Sequence, residues 1–324
     1  MWHLSYPRPV ASPGAEWLLR SSEPMVRFRT LTELLERTDD DPDVVAAQAA
    51  IPDGIAVRAL LSDQRPDGSF GVAPYRKWTG GHWRLVSLAE LRYPPGDERL
   101  RPVIDAELDW ASRLRVTCVN GLARRCASQE GNAIGACCRL GFSHHERIAV
   151  LVQRLVDTQW PDGGWNCDKR SAARHSSFHE SITPLWGLHE YRRATGDSGV
   201  DDVIDRAAEM LLRAGLFRSE RRREAIWPHF RRFRYPPYWH YDILFGLRVL
   251  ADIGRVDDPR ATEALGVVVA KRRADDRWVV NGAWWTTIDG SRAPEVVDWG
   301  RSGVNELVTF HALRVLKTAG WADG

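Results

Sequence analysis

A recurring pattern of apolar helical segments constrains the fold of this chain more than any other feature of its sequence. Five segments end in similar apolar sequences at a spacing of roughly 50 to 65 residues, which fits a helix pair plus its loops. They end in Leu88–Leu91, Ala136–Leu140, Gly187–Tyr191, Gly246–Leu250 and Ala312–Leu316. Apolar residues recur at helical spacing, whereas alternating β-branched runs hardly occur. The pattern therefore predicts an all-α protein built from repeated helix pairs.

Three turns recur in phase with these helices. They are Gln64–Gly71, Gln159–Trp165 and the degenerate Lys271–Trp278. In the first two, a Gln ends the helix and Pro-Asp-Gly makes a tight turn. We expect the aromatic residue that follows each turn to pack back between neighbouring helices.

The phased turns resemble the QW repeat of the prenyltransferase and squalene-cyclase family, from about Trp17 to the end of the chain. The resemblance implies an α/α-toroid, a closed ring in which inner and outer helices alternate. It also implies that the starts of the inner helices open onto a central cavity. We divide the sequence into a Pro-rich arm, residues 1–15, and a single toroid domain, residues 16–324.

Charge and hydropathy exclude several classes of protein. The net charge is +2, from 45 basic and 43 acidic residues, which gives no reason to expect nucleic acid as a partner. No uninterrupted apolar run reaches roughly 20 residues, so we expect no transmembrane segment. The proline-containing N-terminus has no apolar core typical of a signal peptide, which predicts a cytoplasmic protein. No nucleotide cofactor is expected.

The cysteines do not indicate a disulfide framework. Their number is five, which is odd, and the chain is long. We interpret Cys118, Cys126, Cys137 and Cys138 as buried free thiols. Cys167 is set apart because it precedes a histidine-rich helix start.

Five segments precede apolar helices and, by the resemblance, face the central cavity. They are Trp78–Trp83, Ser128–Asn132, His175–Glu180, Tyr238–Asp242 and Ser302–Glu306. Aromatic rings alternate there with titratable groups, which is typical of a ligand pocket. The candidate substrate-binding residues from these segments and the preceding turn are Trp78, His82, Trp83, Asn132, Trp165, His175, Trp239 and Tyr241.

Cys167, His179 and His240 form a candidate zinc site. One thiolate and two imidazoles from neighbouring helix starts are suitable Zn²⁺ ligands and leave one position open. The protein prenyltransferases, which the chain resembles, also place zinc at two consecutive inner-helix starts, although their aspartate and cysteine ligands are not reproduced here. The alternative is a polar pocket in which Cys167 is merely buried and His240 hydrogen-bonds Asp242.

The acid that a cyclase requires is not evident from a motif. Squalene-cyclase-like enzymes protonate an alkene with a DxDD motif, and none occurs in this sequence. The acidic run Asp39–Asp43 lies between helices and is interpreted as a solvated loop and helix cap. A buried carboxyl with a raised pKa is the remaining source of a proton, and Glu130, Glu180 and Asp242 could supply it. We take Glu130 and Asp242 as the candidates for catalysis.

These observations predict a toroid that holds a hydrophobic small molecule, isoprenoid-like or another secondary metabolite, in a cavity lined by some of its 15 Trp. We expect it to transform that molecule, with zinc as one option and without DxDD protonation. The alternative is a non-catalytic module that binds a hydrophobic ligand or a protein partner on the same fold. Both a homodimer and a heteromer stay open.

Overall fold

The prediction of an all-α fold is confirmed by a computed structural model, which describes residues 12–220, 224–282, 284 and 295–321. Its α-helices are α1 (Pro13–Leu19), α2 (Pro24–Arg29), α3 (Pro42–Ala49), α4 (Ile55–Leu61), α5 (Gly81–Glu90), α6 (Arg101–Ser112), α7 (Ala127–Arg139), α8 (Glu146–Thr158), α9 (Phe178–Thr195), α10 (Asp201–Arg213), α11 (Ile243–Asp252), α12 (Thr262–Ala270) and α13 (Glu306–Thr318). A π-helical turn, Thr30–Leu34, continues α2. One antiparallel hairpin pairs β1 (Thr117–Val119) with β2 (Leu122–Arg124).

The helices divide into two sets by burial. The inner helices, α5, α7, α9, α11 and α13, are buried over most of their length, and in α5 all ten residues are buried. The outer helices, α4, α6, α8, α10 and α12, bury one face. In α8 that face is Ile148, Leu151, Val152 and Leu155, which is the apolar stripe of an amphipathic helix. Inner and outer helices alternate along the chain, as the repeat predicts.

Each inner helix packs against the next one in the chain, from α5 to α13. The last one, α13, also contacts α1, α2 and the π-helical turn. Ser21 Oγ donates to Glu306 Oε2 at 2.8 Å near the start of α13, and Lys317 Nζ donates to Leu34 O at 2.7 Å near its end. Residues 21–34, which contain α2 and the π-helical turn, therefore lie beside α13 and run in the same direction.

Glycines bring α7 and α9 into close contact. A Cβ on Gly131 would lie 2.2 Å from the backbone N of Pro184, and a Cβ on Gly187 would lie 2.3 Å from Gly131 O. Distances below 3.0 Å are not compatible with a side chain at either position. The two backbones thus approach as closely as they do because neither residue has a Cβ.

Side chains of the recurring turns anchor each turn to its neighbours. Gln159 Nε2 donates to Gly163 O at 2.7 Å within its own turn and to Val203 O at 2.8 Å in the next outer helix, α10. Gln64 makes the matching pair of bonds in the first turn. The indole Nε1 of Trp165 donates to the carbonyl ten residues earlier, Leu155 O, at 3.0 Å. The Trp278 indole bonds Val268 O, also ten residues earlier, at 2.8 Å.

Charged side chains near the C-terminal ends of the inner helices pair with one another, and we call this cluster the ion-pair base. Its members are Glu33, Glu90, Arg139, Glu190, Arg248, Asp252 and Arg314. Arg248 Nη2 contacts Glu90 Oε2 at 2.7 Å and joins α11 to α5. Burial opposes ionisation of Glu190, but Arg139 overcomes it and lowers the pKa of that carboxyl to about 2. The charges are therefore maintained in the interior by their partners.

No helix of the described chain is long and apolar enough to cross a membrane. The predicted Pro-rich arm, residues 1–15, lies mostly outside the described residues, and α1 begins at Pro13.

Candidate functional site

Three predicted aromatic residues meet at the start of the inner helices. Trp78 stacks on Tyr238, with ring centroids 4.5 Å apart and planes 8° from parallel. Trp83, in the first turn of α5, packs edge-on against both rings. All three side chains are at most 3% exposed. The aromatic residues from two different mouths therefore converge, but they contact each other instead of lining an open space.

A short segment before α11 fills the space between the inner helices. This plug segment, Tyr235–Tyr238, leaves a cavity of about 10 Å³ that is also lined by Glu90, Asn132 and Trp186. Asn132 Nδ2 donates to Tyr238 O at 3.1 Å and so holds the plug segment in place. A cavity of this size takes about one water molecule, whereas ligand pockets are usually about 300 Å³ or more. Around the plug segment, the described residues therefore leave too little space for a ligand.

Asp242, one of the two candidate acids, lies beside a second small cavity of about 10 Å³ with Arg234, Arg248 and His311. It caps α11, because its Oδ1 accepts a hydrogen bond from Phe245 N at 2.9 Å. Its Oδ2 accepts from Arg234 N at 3.2 Å. Burial raises the pKa of this carboxyl to about 6, against the opposing effect of these bonds and of the two arginines. Asp242 is thus a buried carboxyl whose pKa lies close to neutral pH.

Glu130, the other candidate acid, lies on the side of α7 that faces α8. It forms ion pairs with Arg125 and with Arg154 of α8, the latter at 3.2 Å. Two guanidinium groups stabilise the ionised carboxylate. The arrangement disfavours Glu130 as a proton donor.

His179 and His240 come close to each other in an aromatic group. Their ring centroids are 5.9 Å apart, and the His240 ring is stacked between Trp239 and Trp284, at 3.9 and 4.8 Å. His179 Nδ1 accepts a hydrogen bond from Tyr241 N at 2.7 Å. Burial lowers the pKa of His179 to about 4. Burial and the neighbouring His179 lower the pKa of His240 to about 2. Both imidazoles are therefore neutral at pH 7.

Cys167, predicted to share a metal with these histidines, lies with other partners. Its Sγ, the Sγ of Cys126 and a carboxylate oxygen of Glu180 all lie within 4.8 Å of one another. Among the residues that the structure describes, this is the one group of three metal-ligand side chains at such distances. The atoms of Cys167, His179 and His240 do not converge in this way, so zinc on those three residues stays a prediction.

The remaining predicted residues have structural contacts. Trp165 is fully buried, and its backbone N donates to Ser181 Oγ of α9 at 3.0 Å while its indole donates to Leu155 O of α8. Tyr241 is buried and its hydroxyl donates to Leu216 O at 2.7 Å. His175 is exposed and precedes α9, which begins at Phe178, so it does not share a helical face with the histidine at 179.

His82 is a predicted site residue, but the sequence analysis did not predict its partner, Glu107. His82 Nδ1 lies 2.7 Å from Glu107 Oε1, and both side chains are buried. His82 Nε2 has no hydrogen-bond partner among the described residues. The signal for Glu107 was present, because it lies within the apolar stripe of α6 between Ile104 and Leu108. A carboxylate in such a stripe indicates a buried partner.

No family model matches the sequence, and no curated protein matches it. Among solved structures, the chain is similar to a variant of the type II terpene cyclase MstE from Scytonema in complex with its substrate, geranylgeranyl dihydroxybenzoate. The identity is 14% and the TM-score 0.30, over 83% of this chain and 95% of that chain. It is also similar to the apo form of the same cyclase, at 14% identity and a TM-score of 0.31, over 82% and 94% of the two chains. The function of this protein therefore has to follow from its own residues.

Proposed function

We propose that this chain is an α/α-toroid that admits a hydrophobic, isoprenoid-like small molecule between its inner helices and transforms it. Entry requires the plug segment, Tyr235–Tyr238, to move aside. The observation that carries the proposal is the packing of Trp78 and Trp83 against Tyr238, the last residue of that segment. A ligand that displaces Tyr238 meets two indole faces, which bind apolar chains and stabilise cationic intermediates.

The arrangement of helices supports the ring. Alternating inner and outer helices follow one another, and α13 contacts α1 and α2. The proposed ring would then have no terminal repeat that needs a polar cap.

Asp242 is the proposed acid. It is buried, it borders the space beneath the plug segment, and its pKa of about 6 keeps a fraction of the carboxyl protonated near neutral pH. No DxDD motif is involved. The neutral histidines at 179 and 240 leave the neighbouring aromatic group without a strong acid of its own.

A non-catalytic binding module is the second candidate, and the filled interior favours it. Asn132 and Glu90 already bond other residues of the chain, Tyr238 and Arg248 respectively. Such satisfied groups hold a ligand-free interior together without contributing to chemistry.

Binding of a dansyl-labelled farnesyl chain, followed by fluorescence, tests the proposed entry. Tyr238→Ala removes the ring that covers both indoles and is expected to tighten binding of the probe at least tenfold relative to the wild type. Tyr191→Ala is the matched control, because Tyr191 lies near the far end of α9 and bonds Asp197 at the surface. Absence of binding by both wild type and Tyr238→Ala, or an equal effect of Tyr191→Ala, would contradict the proposal.

Native mass spectrometry separates catalysis from binding. A molecule that co-purifies intact with the wild type and is never converted supports the binding module. A product that forms on the wild type but not on Asp242→Asn, with probe binding retained, supports the enzyme. Asn preserves an acceptor for the helix cap, so loss of product would not report loss of the fold.

A further inference from the structure

Two cysteines and a glutamate come together where α7 and α9 begin. Cys126 immediately precedes α7, and Glu180 lies in the first turn of α9. Cys167 comes from the loop between α8 and α9. A parallel backbone bridge joins Arg124 to Asn166, and Arg125 N donates to Asn166 O at 3.0 Å. This bridge carries the two thiols to the same place although they are far apart in the sequence.

The distances fit a small tetrahedral ion. The two sulfurs and a carboxylate oxygen all lie within 4.8 Å of one another. Zn–S bonds of about 2.3 Å at tetrahedral angles place two sulfurs about 3.8 Å apart, so a contraction of about 1 Å or less brings the ligands into range. The carboxylate is already oriented, because Glu180 Oε2 accepts a hydrogen bond from Ser128 N at 3.0 Å.

The proximity of three acidic groups in the cluster also favours binding of a cation. Three acidic groups this close cannot all ionise without a compensating charge. A divalent cation supplies that charge and deprotonates the thiols on binding.

We propose that Cys126, Cys167 and Glu180 bind one zinc ion and leave its fourth position open. Two thiolates select a soft or borderline metal and exclude Ca²⁺ and Mg²⁺, and a carboxylate completes a three-ligand set of the kind found in sites that bind water or substrate. Tyr75 lies close enough to Glu180 and Cys126 to be influenced by both, and its hydroxyl is hydrogen-bonded to Gln129. The three ligands belong neither to the plug segment nor to the proposed acid, so the site does not depend on the proposed function.

Metal content tests the site directly. The wild-type chain is incubated with Zn²⁺ and a phosphine reductant, dialysed, and analysed by elemental mass spectrometry. We expect one zinc per chain. Cys126→Ser and Cys167→Ser are each expected to lose it. Cys118→Ser is the matched control, because Cys118 is an exposed thiol in the adjacent strand β1 and is expected to retain stoichiometric zinc.

Cobalt provides a readout that reports on the ligand type. Co²⁺ bound by two thiolates gives a sulfur-to-metal charge-transfer band, and we expect this band in the wild type and in Cys118→Ser. Glu180→Gln keeps an acceptor for Ser128 N and is expected to keep the band while its affinity for Co²⁺ falls at least tenfold. Circular dichroism of each variant establishes that it is folded.

Several results would overturn the proposal. One is a reduced wild-type chain that retains no zinc and gives no charge-transfer band. Another is a Cys126–Cys167 disulfide that forms in air while the reduced chain stays metal-free. Stoichiometric zinc in Cys126→Ser or Cys167→Ser would also refute the ligand set. None of these results bears on binding of the farnesyl probe, so the two proposals fail separately.

Discussion

Ionisation of Asp242 is expected to destabilise the folded protein. Burial raises the pKa of this carboxyl from 3.8 to about 6. Between these values the folded chain keeps a proton that the unfolded chain has released, so the free energy of unfolding falls as the pH rises. A shift of about 2 pH units corresponds to about 3 kcal/mol, which is fully lost above about pH 6.

Asp242→Asn removes this ionisation and retains one acceptor. The amide oxygen can still accept from Phe245 N, but the NH₂ group now faces Arg234 N, which costs about 1 kcal/mol for one lost bond. The variant should therefore be more stable than the wild type by about 2 kcal/mol at pH 8. At pH 4 it should be less stable by about 1 kcal/mol, because the wild-type carboxyl is then neutral.

Urea denaturation of both chains at pH 4, 5, 6, 7 and 8 measures the difference in the free energy of unfolding. The control is Asp258→Asn. Asp258 is also a helix cap, but the pKa of its carboxyl is lowered to about 2, mainly by its hydrogen bond with Arg260. The stabilising effect of that carboxylate disappears only when the pH falls below about 4. The difference in the free energy of unfolding between Asp258→Asn and the wild type should therefore change little from pH 4 to pH 8. A pH-independent difference for Asp242→Asn would refute the reasoning.

Two further pairs of substitutions, each a test and its control, probe the packing of the helices. Gly131→Ala is expected to destabilise the protein by about 3 kcal/mol or more, because the new Cβ meets the backbone of Pro184 at 2.2 Å. Gly266→Ala, in α12 with nothing within 4 Å of its Cβ, should instead stabilise it by up to about 1 kcal/mol, and equal effects in thermal melts would contradict the close-contact argument. Gln159→Ala should cost about 1 to 2 kcal/mol through two lost bonds, whereas Gln153→Ala on the exposed face of α8 should cost less than about 0.5 kcal/mol.

The repeated features of the fold could be predicted from the sequence because each repeats a local rule. Helical periodicity located the inner helices, and the turn at Gln159–Trp165 packs its aromatic residue between helices as expected. The buried carboxylate at Glu107 could also have been predicted, since it interrupts an apolar stripe.

The contents of the interior could not be predicted in the same way. Tyr235–Tyr238 is a loop, and its path is fixed by contacts with Asn132 and Trp78, which are distant in the sequence. The pairing of Cys126 with Cys167 depends on one isolated backbone bridge and has no local signature. Both features arise from tertiary contacts that periodicity does not encode.

The ion-pair base has a consequence for the order in which the chain folds. Its pairs join distant parts of the sequence: Arg248 and Glu90 are 158 residues apart, and Arg314 of the last helix meets Glu33 near the first. Such non-local contacts raise the contact order and are expected to form late, after most loops have closed. A chain that stops before α13 would leave Glu33 and Asp252 without Arg314. A nascent chain is therefore expected to acquire protease resistance only when its final helix has been synthesised.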